Sequence, residues 1–205
     1  MSRYRSKSWR AYRPDSATAA AVSKSDTVAA ARPVAIATGA AVRILGLDPG
    51  SRFTGYGVVE VAPGGLQCIA HGRIEIDGLP VAERMARIHA AISTVLRDHR
   101  PEEVAIERVF VSRNIESALK LGQARGAALA AVGATLPVAE YAPRAVKLAT
   151  VGTGAADKLQ VAHMVRVLLK PEGRLSADAA DALAIALCHA QNRRLAALVG
   201  AEGWT

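Results

Sequence analysis

The sequence predicts one α/β domain: a five-stranded mixed sheet, its first three strands antiparallel, with helices on both faces. Three observations carry this expectation. Apolar alternation of period two runs through consecutive segments between Arg43 and Ile76, as half-buried strands require. A helix-period stripe then leads into a short apolar run, the pattern of a crossover to a parallel strand. Near the C-terminus lies a helical segment too apolar to face water on a broad side. The chain has 205 residues, 51% of them hydrophobic, which suffices for one sizeable core.

The first element is a hairpin, Arg43 to Glu60 (RILGLDPGSRFTGYGVVE). Ile44, Leu45 and Leu47 run into Asp48, a Pro-Gly turn follows, and alternation resumes at Tyr56, Val58 and Val59. Gly46 leaves one strand position without a side chain, where another backbone or a ligand can approach. Leu66 to Ile76 supplies a third strand. From Leu79 to His99 the spacing of Val81, Met85, Ile88, Ile92, Val95 and Leu96 makes one helical stripe. Pro101 closes that region, and Val104 to Ile106 form a short buried strand finishing at Glu107. Asn114 to Val132 reads as a helix rich in small residues (Ala118, Gly122, Ala124, Gly126, Ala127, Ala128), suited to close helix packing or a dimer seam. Leu136 to Glu140 is a fifth strand, and helices over Pro143–Thr150, Ala155–Leu169 and Ala177–Arg194 follow. No glycine-rich phosphate loop follows the first strand: GLDPGSRFTG has neither the lysine of a P-loop nor dinucleotide-site spacing. The order βββαβαβ, then helices, predicts an RNase H-like domain over residues 43–195.

Charge is unevenly placed. The net charge is +8, but residues 1–42 hold 7 Lys/Arg against 2 Asp/Glu, and the body is only mildly basic. The first 42 residues show no apolar period and few aromatics (Tyr4, Trp9, Tyr12). They read as a disordered basic extension, with a DNA-binding arm or an upstream start, the true one at Val42, as alternatives. Residues 196–205 read as a flexible tail. Two cysteines without a CxxC point to a reduced, cytoplasmic setting. No apolar run reaches the 18 or so residues of a membrane span, and no signal-peptide pattern is visible.

The carboxylates carry the chemistry. Asp48 ends the first strand, and Glu107 ends the parallel strand expected beside it. Asp178 and Asp181, in SADAADALAIA, sit three apart at the start of the apolar helix, on one face and about 5–6 Å apart at Cβ. Singly, each has an ordinary explanation: a turn cap, an arginine partner, the positive end of a helix. Four converging acids would repel and raise one another's pKa values, and divalent cations remove that conflict. Hard oxygen donors without nearby His or Cys select Mg²⁺, with Mn²⁺ able to substitute. Two such ions about 4 Å apart can activate water and stabilise a leaving 3′ oxygen.

ILGLDPGSRFTGYGVVE, AIERVF, NIESALKLGQARG, VKLATVGTGAADKLQVAHMV and ADAADALAIA together resemble the RuvC family of crossover-junction endodeoxyribonucleases, over about Arg43 to Ala190. The resemblance implies a homodimeric, Mg²⁺-dependent enzyme that places two symmetric nicks in a four-way DNA junction and cooperates with RuvA and RuvB. It maps the family's four acids onto Asp48, Glu107, Asp178 and Asp181. It also implies that Phe110, in ERVFVSRN, stacks on a base near the crossover, and that Lys147 and Lys158, flanking VGTGAA, face DNA. From the residues alone Phe110 could equally be a hydrophobic cap. Arg108, Arg113 and Asn114 flank the same loop and could touch phosphate or base edges, or be solvated surface groups. His163 and His189 read as packing or helix-surface residues, and Tyr141 as core-edge. The rival readings are a nuclease of the same fold acting on RNA or RNA–DNA hybrids, a catalytically silent junction-binding scaffold, and an actin-like ATPase. The last needs two such domains.

Overall fold

The structure, a computed structural model, describes residues 41–108 and 115–201, with side chains as far as residue 196. The expectations for residues 1–40, for Phe110, Arg113 and Asn114, and for the last four residues lie outside the described residues. Among the described residues ten elements follow one another: β1 (Val42–Pro49), β2 (Phe53–Ala62), β3 (Gly65–Glu75), α1 (Val81–His99), β4 (Glu103–Glu107), α2 (Ile115–Val132), β5 (Val138–Tyr141), α3 (Pro143–Val151), α4 (Lys158–Leu169) and α5 (Ala177–Ala201). They form one sheet in the order β3-β2-β1-β4-β5. β1 and β2 pair antiparallel, as do β2 and β3, while β4 runs parallel to both β1 and β5. This is the mixed sheet the sequence predicts.

Strand parity splits the core in two. Leu45, Leu47, Val58, Val104 and Ile106 face Ile88, Ile92 and Val95 of α1 and Ala124, Ala128 and Val132 of α2. Val42, Ile44, Val59 and Ala105 face Val146 of α3, Val161 and Val165 of α4, and the run Leu183–Cys188 of α5. The α5 segment from Ala179 to Cys188 is buried except Asp181, as an all-round apolar helix must be.

Gly46 shows how closely α5 lies on the sheet. A Cβ there would run into the Ala182 carbonyl and the Ala186 amide of α5, and its cross-strand partner Gly57 abuts Leu183. The obstacle is backbone, which cannot rotate away. Gly46→Ala is expected to cost about 1–3 kcal/mol through overpacking, read as a lower midpoint in urea unfolding with an unchanged slope.

Several boundaries differ from the sequence reading. β1 begins at Val42, which is buried, so that residue belongs to the sheet. α1 begins at Val81, and Val81 is 53% exposed; the buried stripe runs instead through Arg84, Ile88, Ile92 and Val95. α4 starts at Lys158, three residues late, because Asp157 and Gln160 form a capping box that fixes the helix start. α5 continues to Ala201, so residues 196–201 are helical rather than tail. Its last two turns are mostly Ala and Leu, strong helix formers with no proline to stop them. No described helix is long and apolar enough to cross a membrane. Cys68 and Cys188 are both free, their thiols pushed up to about 11 by burial.

Candidate active site

The strand ends bring the acids together. Asp48 shares strand parity with Ile44 and Gly46 and so emerges on the α5 side of the sheet, opposite Gly55 of β2. β1–β4 pairing runs to Leu47–Ile106, which brings Glu107 abreast of Asp48. α5 crosses the same strands and contributes Asp181 from its second turn. Pro at the start of α3 and the capping box of α4 then set the helices that carry Lys147 and Lys158. Asp48, Glu107, Asp181, Lys147 and Lys158 line one cavity of about 270 Å³, walled by Val146, Val161, Ala184 and Ile185.

The electrostatics of this cavity are adverse to its own acids. Burial, then Glu107 and Asp181, and least of all Asp178, raise the Asp48 carboxyl from 3.8 to about 7, against a lowering contribution from Lys158. Glu107 is likewise raised, by burial and by Asp181, with Lys158 and Lys147 opposing. The Lys158 ammonium lies 2.9 Å from Asp181 Oδ2, and that bond raises its own pKa. Lys158 therefore acts as the cation that the three carboxylates share.

Not every expected residue joins. Asp178 does not line the cavity: three residues before Asp181, it is rotated about 60° round the helix, and its carbonyl rests over Gly55. Among the described residues no group of three or more His, Cys, Asp or Glu is positioned to hold a metal ion. Arg108 is exposed beyond the end of β4 and outside the cavity lining; its main-chain N–H donates to the Tyr141 carbonyl at 2.7 Å.

Two groups escaped the sequence reading. Glu103, at the start of β4, accepts from Arg193 Nε at 2.8 Å and lies 2.8 Å from His189 Nε2, whose Nδ1 is 2.7 Å from the Tyr141 hydroxyl. His189 is thus neither simple packing nor helix surface. Arg125, the lone cation of GQARGAA, reaches the Glu107 carbonyl. A lone arginine in a run of small residues was a visible signal, whereas nothing local marks Glu103.

The family model described as crossover junction endodeoxyribonuclease RuvC matches residues 44–189. The chain belongs to the RuvC family. It is 53% identical over 159 residues to a RuvC of Vibrio cholerae, covering 77% of this chain and 92% of that one. With a RuvC of Alkalilimnicola ehrlichii it shares 54% identity over 148 residues, 72% of this chain and 90% of the relative. Among solved structures, T. thermophilus RuvC in complex with Holliday junction substrate superposes with a TM-score of 0.70 at 40% identity, over 76% of this chain and 97% of that chain. Its RNase H-like RuvC architecture is thus shared with an experimentally solved member at substantial identity. The acidic cavity falls within the matched span, and residues 1–43 fall outside it.

Proposed function

We propose that this chain is a structure-selective endonuclease that resolves four-way DNA junctions by paired, symmetric phosphodiester nicks. The observation that carries this reading is the cavity joining Asp48, Glu107 and Asp181 to Lys147 and Lys158, in a chain of the RuvC family. Two carboxyls that resist ionisation, Asp48 and Glu107, and lysines at the same mouth suit a polyanion whose cleavage needs a cation.

The donor set fits Mg²⁺, or Mn²⁺ in its place: every acidic donor in the cavity is a carboxylate oxygen, the preference of hard cations. Asp48, raised to about 7, is the group that gains most from a cation. Asp48, Glu107 and Asp181 would hold one or two ions, with Asp178 completing the set at its margin. When bound, the metal supplies a Lewis acid and an activated water. Lys147 and Lys158 bind and orient the backbone phosphate, a contact that sets position rather than sequence. As phosphate arrives, Lys158 can exchange Asp181 for it. Phe110 would stack on a base near the crossover, with Arg108, Arg113 and Asn114 contacting the strand beside it. Phe110→Ala is expected to keep fold and junction affinity nearly intact and to slow cleavage by roughly tenfold, a stacked base contributing about 1–3 kcal/mol. Unchanged cleavage with a lower melting temperature would make it a hydrophobic cap.

Symmetric nicking asks for two active sites, hence a homodimer. The outward face of α2 supports one: Ile115 is 74% and Leu119 62% exposed, and Gly122 and Gly126 of the same face have open space at Cβ. Cooperation with RuvA and RuvB and a cytoplasmic location are part of the same reading.

The test incubates purified protein with a mobile synthetic four-way junction and, separately, an RNA–DNA hybrid, with and without Mg²⁺, and sizes products on a denaturing gel. Paired nicks in the junction alone support the proposal. Cleavage of the hybrid only, or binding without cleavage, would replace it with a hybrid nuclease or a silent scaffold.

A further inference from the structure

We propose that Arg125 is the positioning residue for Glu107, holding the end of β4 at the level of the acidic cavity through its main-chain carbonyl. Arg125 projects from α2 and its side chain is 14% exposed. Its Nη1 donates to the Glu107 carbonyl at 2.5 Å, and its Nη2 lies 2.7 Å from Glu140 Oε1 on β5. A guanidinium is a rigid planar fork, so engaging both acceptors fixes the separation of the two strand ends as well as their distance from α2.

The carbonyl needs this donor. Pairing between β1 and β4 ends at Leu47–Ile106, and further along β1 stands Pro49, which has no N–H to offer. On the other flank Arg108 N–H donates to Tyr141. The peptide after Glu107 is therefore pinned by β5 through its N–H and by α2 through its carbonyl. The Glu107 side chain leaves the same residue, so its aim into the cavity follows the orientation of that peptide. Arg125 also joins the strand end to the helix whose outward face carries Ile115, Leu119, Gly122 and Gly126. Displacing a reacting group by about 1 Å can cost up to a hundredfold in rate.

The activity arm of the test rests on the nuclease reading above; the metal arm does not. The parent, Arg125→Ala, Arg125→Lys and Glu140→Gln are compared in two measurements. One is Mn²⁺ affinity, from the signal of free ion in paramagnetic titration. The other is the single-turnover rate of junction cleavage, beside junction affinity measured without metal. Arg125→Ala is expected to bind Mn²⁺ more weakly and cleave about ten to a hundredfold more slowly, with junction affinity unchanged. Millimolar guanidinium should restore part of both losses, and Arg125→Lys should fall between, since an ammonium has no fork. The proposal is overturned if Arg125→Ala melts cooperatively and matches the parent in both measurements. It is equally overturned if junction affinity falls as far as the rate, which would make Arg125 a DNA contact. Should Arg125→Ala fail to fold, Arg125→Lys and Glu140→Gln decide by the same two readouts. A parent that cuts no junction removes the nuclease reading, and the Mn²⁺ comparison still judges Arg125.

Discussion

Asp48→Asn is expected to lower junction nicking by about a thousandfold or more, the loss of several kcal/mol of metal-assisted stabilisation, while junction binding stays measurable. The substitution keeps the shape of the side chain and removes its charge. The same variant should be as stable as the parent, or more so, in the absence of metal. Asp48 has a folded-state pKa of about 7 against 3.8 in the free group. Its proton is therefore held more tightly in the fold. The stability this contributes is fully present below about pH 4 and is lost as pH rises through about 7, on the order of a few kcal/mol. Metal-free parent should melt progressively lower between those limits, and Asp48→Asn should flatten that slope. Adding Mg²⁺ near pH 7.5 should raise the parent's melting temperature and raise the variant's less, since an ion stabilises the state that binds it. Melts across pH with and without Mg²⁺, beside the cleavage gel, read all of this. Parental cleavage by Asp48→Asn, or a large metal-free destabilisation, would make Asp48 a structural residue.

Glu103→Ala should have the largest effect on folding. Glu103 is 5% exposed and holds both His189 and Arg193 at 2.8 Å. Its removal strands a largely buried guanidinium beside an imidazole whose Nε2 has lost its carboxylate while Nδ1 keeps Tyr141, a loss of about 3–5 kcal/mol, or on the order of 10 °C in melting temperature for a domain of this size. Burial raises the Glu103 pKa, but hydrogen bonds from His189 and Arg193 and their charges outweigh it, leaving it below the ordinary value of 4.5. The sign is opposite to that of Asp48. Stability from Glu103 is present above about pH 4.5 and is lost as pH falls through the lowered folded value. Replacing the group together (Glu103→Leu, His189→Leu, Arg193→Met) should recover much of the loss, because no charge is then left buried alone. Equal destabilisation by the single and triple variants would show that packing, not charge, holds this corner.

These two carboxylates mark the boundary between what each level of structure decides. The strands, the crossover helix and the apolar α5 were legible because alternation, a three-and-four spacing and turn residues are written within a few consecutive positions. The same locality placed Asp48 at a strand end, foresaw a close backbone approach at Gly46, and put Glu107 on the neighbouring parallel strand. Residues that share a strand and its parity are alike at that level. Glu103 and Glu107 lie four apart on β4 and face the same side of the sheet, yet one meets Arg193 and His189 and the other meets Asp48 and Asp181. One is held ionised below its ordinary value and the other pushed above it. Asp178 and Asp181 are equally alike in sequence, and a rotation of the helix leaves only the second in the cavity. Chain position by itself determined which residues are acidic and which strand ends carry them. Which acid is structural, which reaches the cavity and what holds it there depend on partners 18 to 90 residues away, because burial and charge act through space and only the packed fold sets those distances.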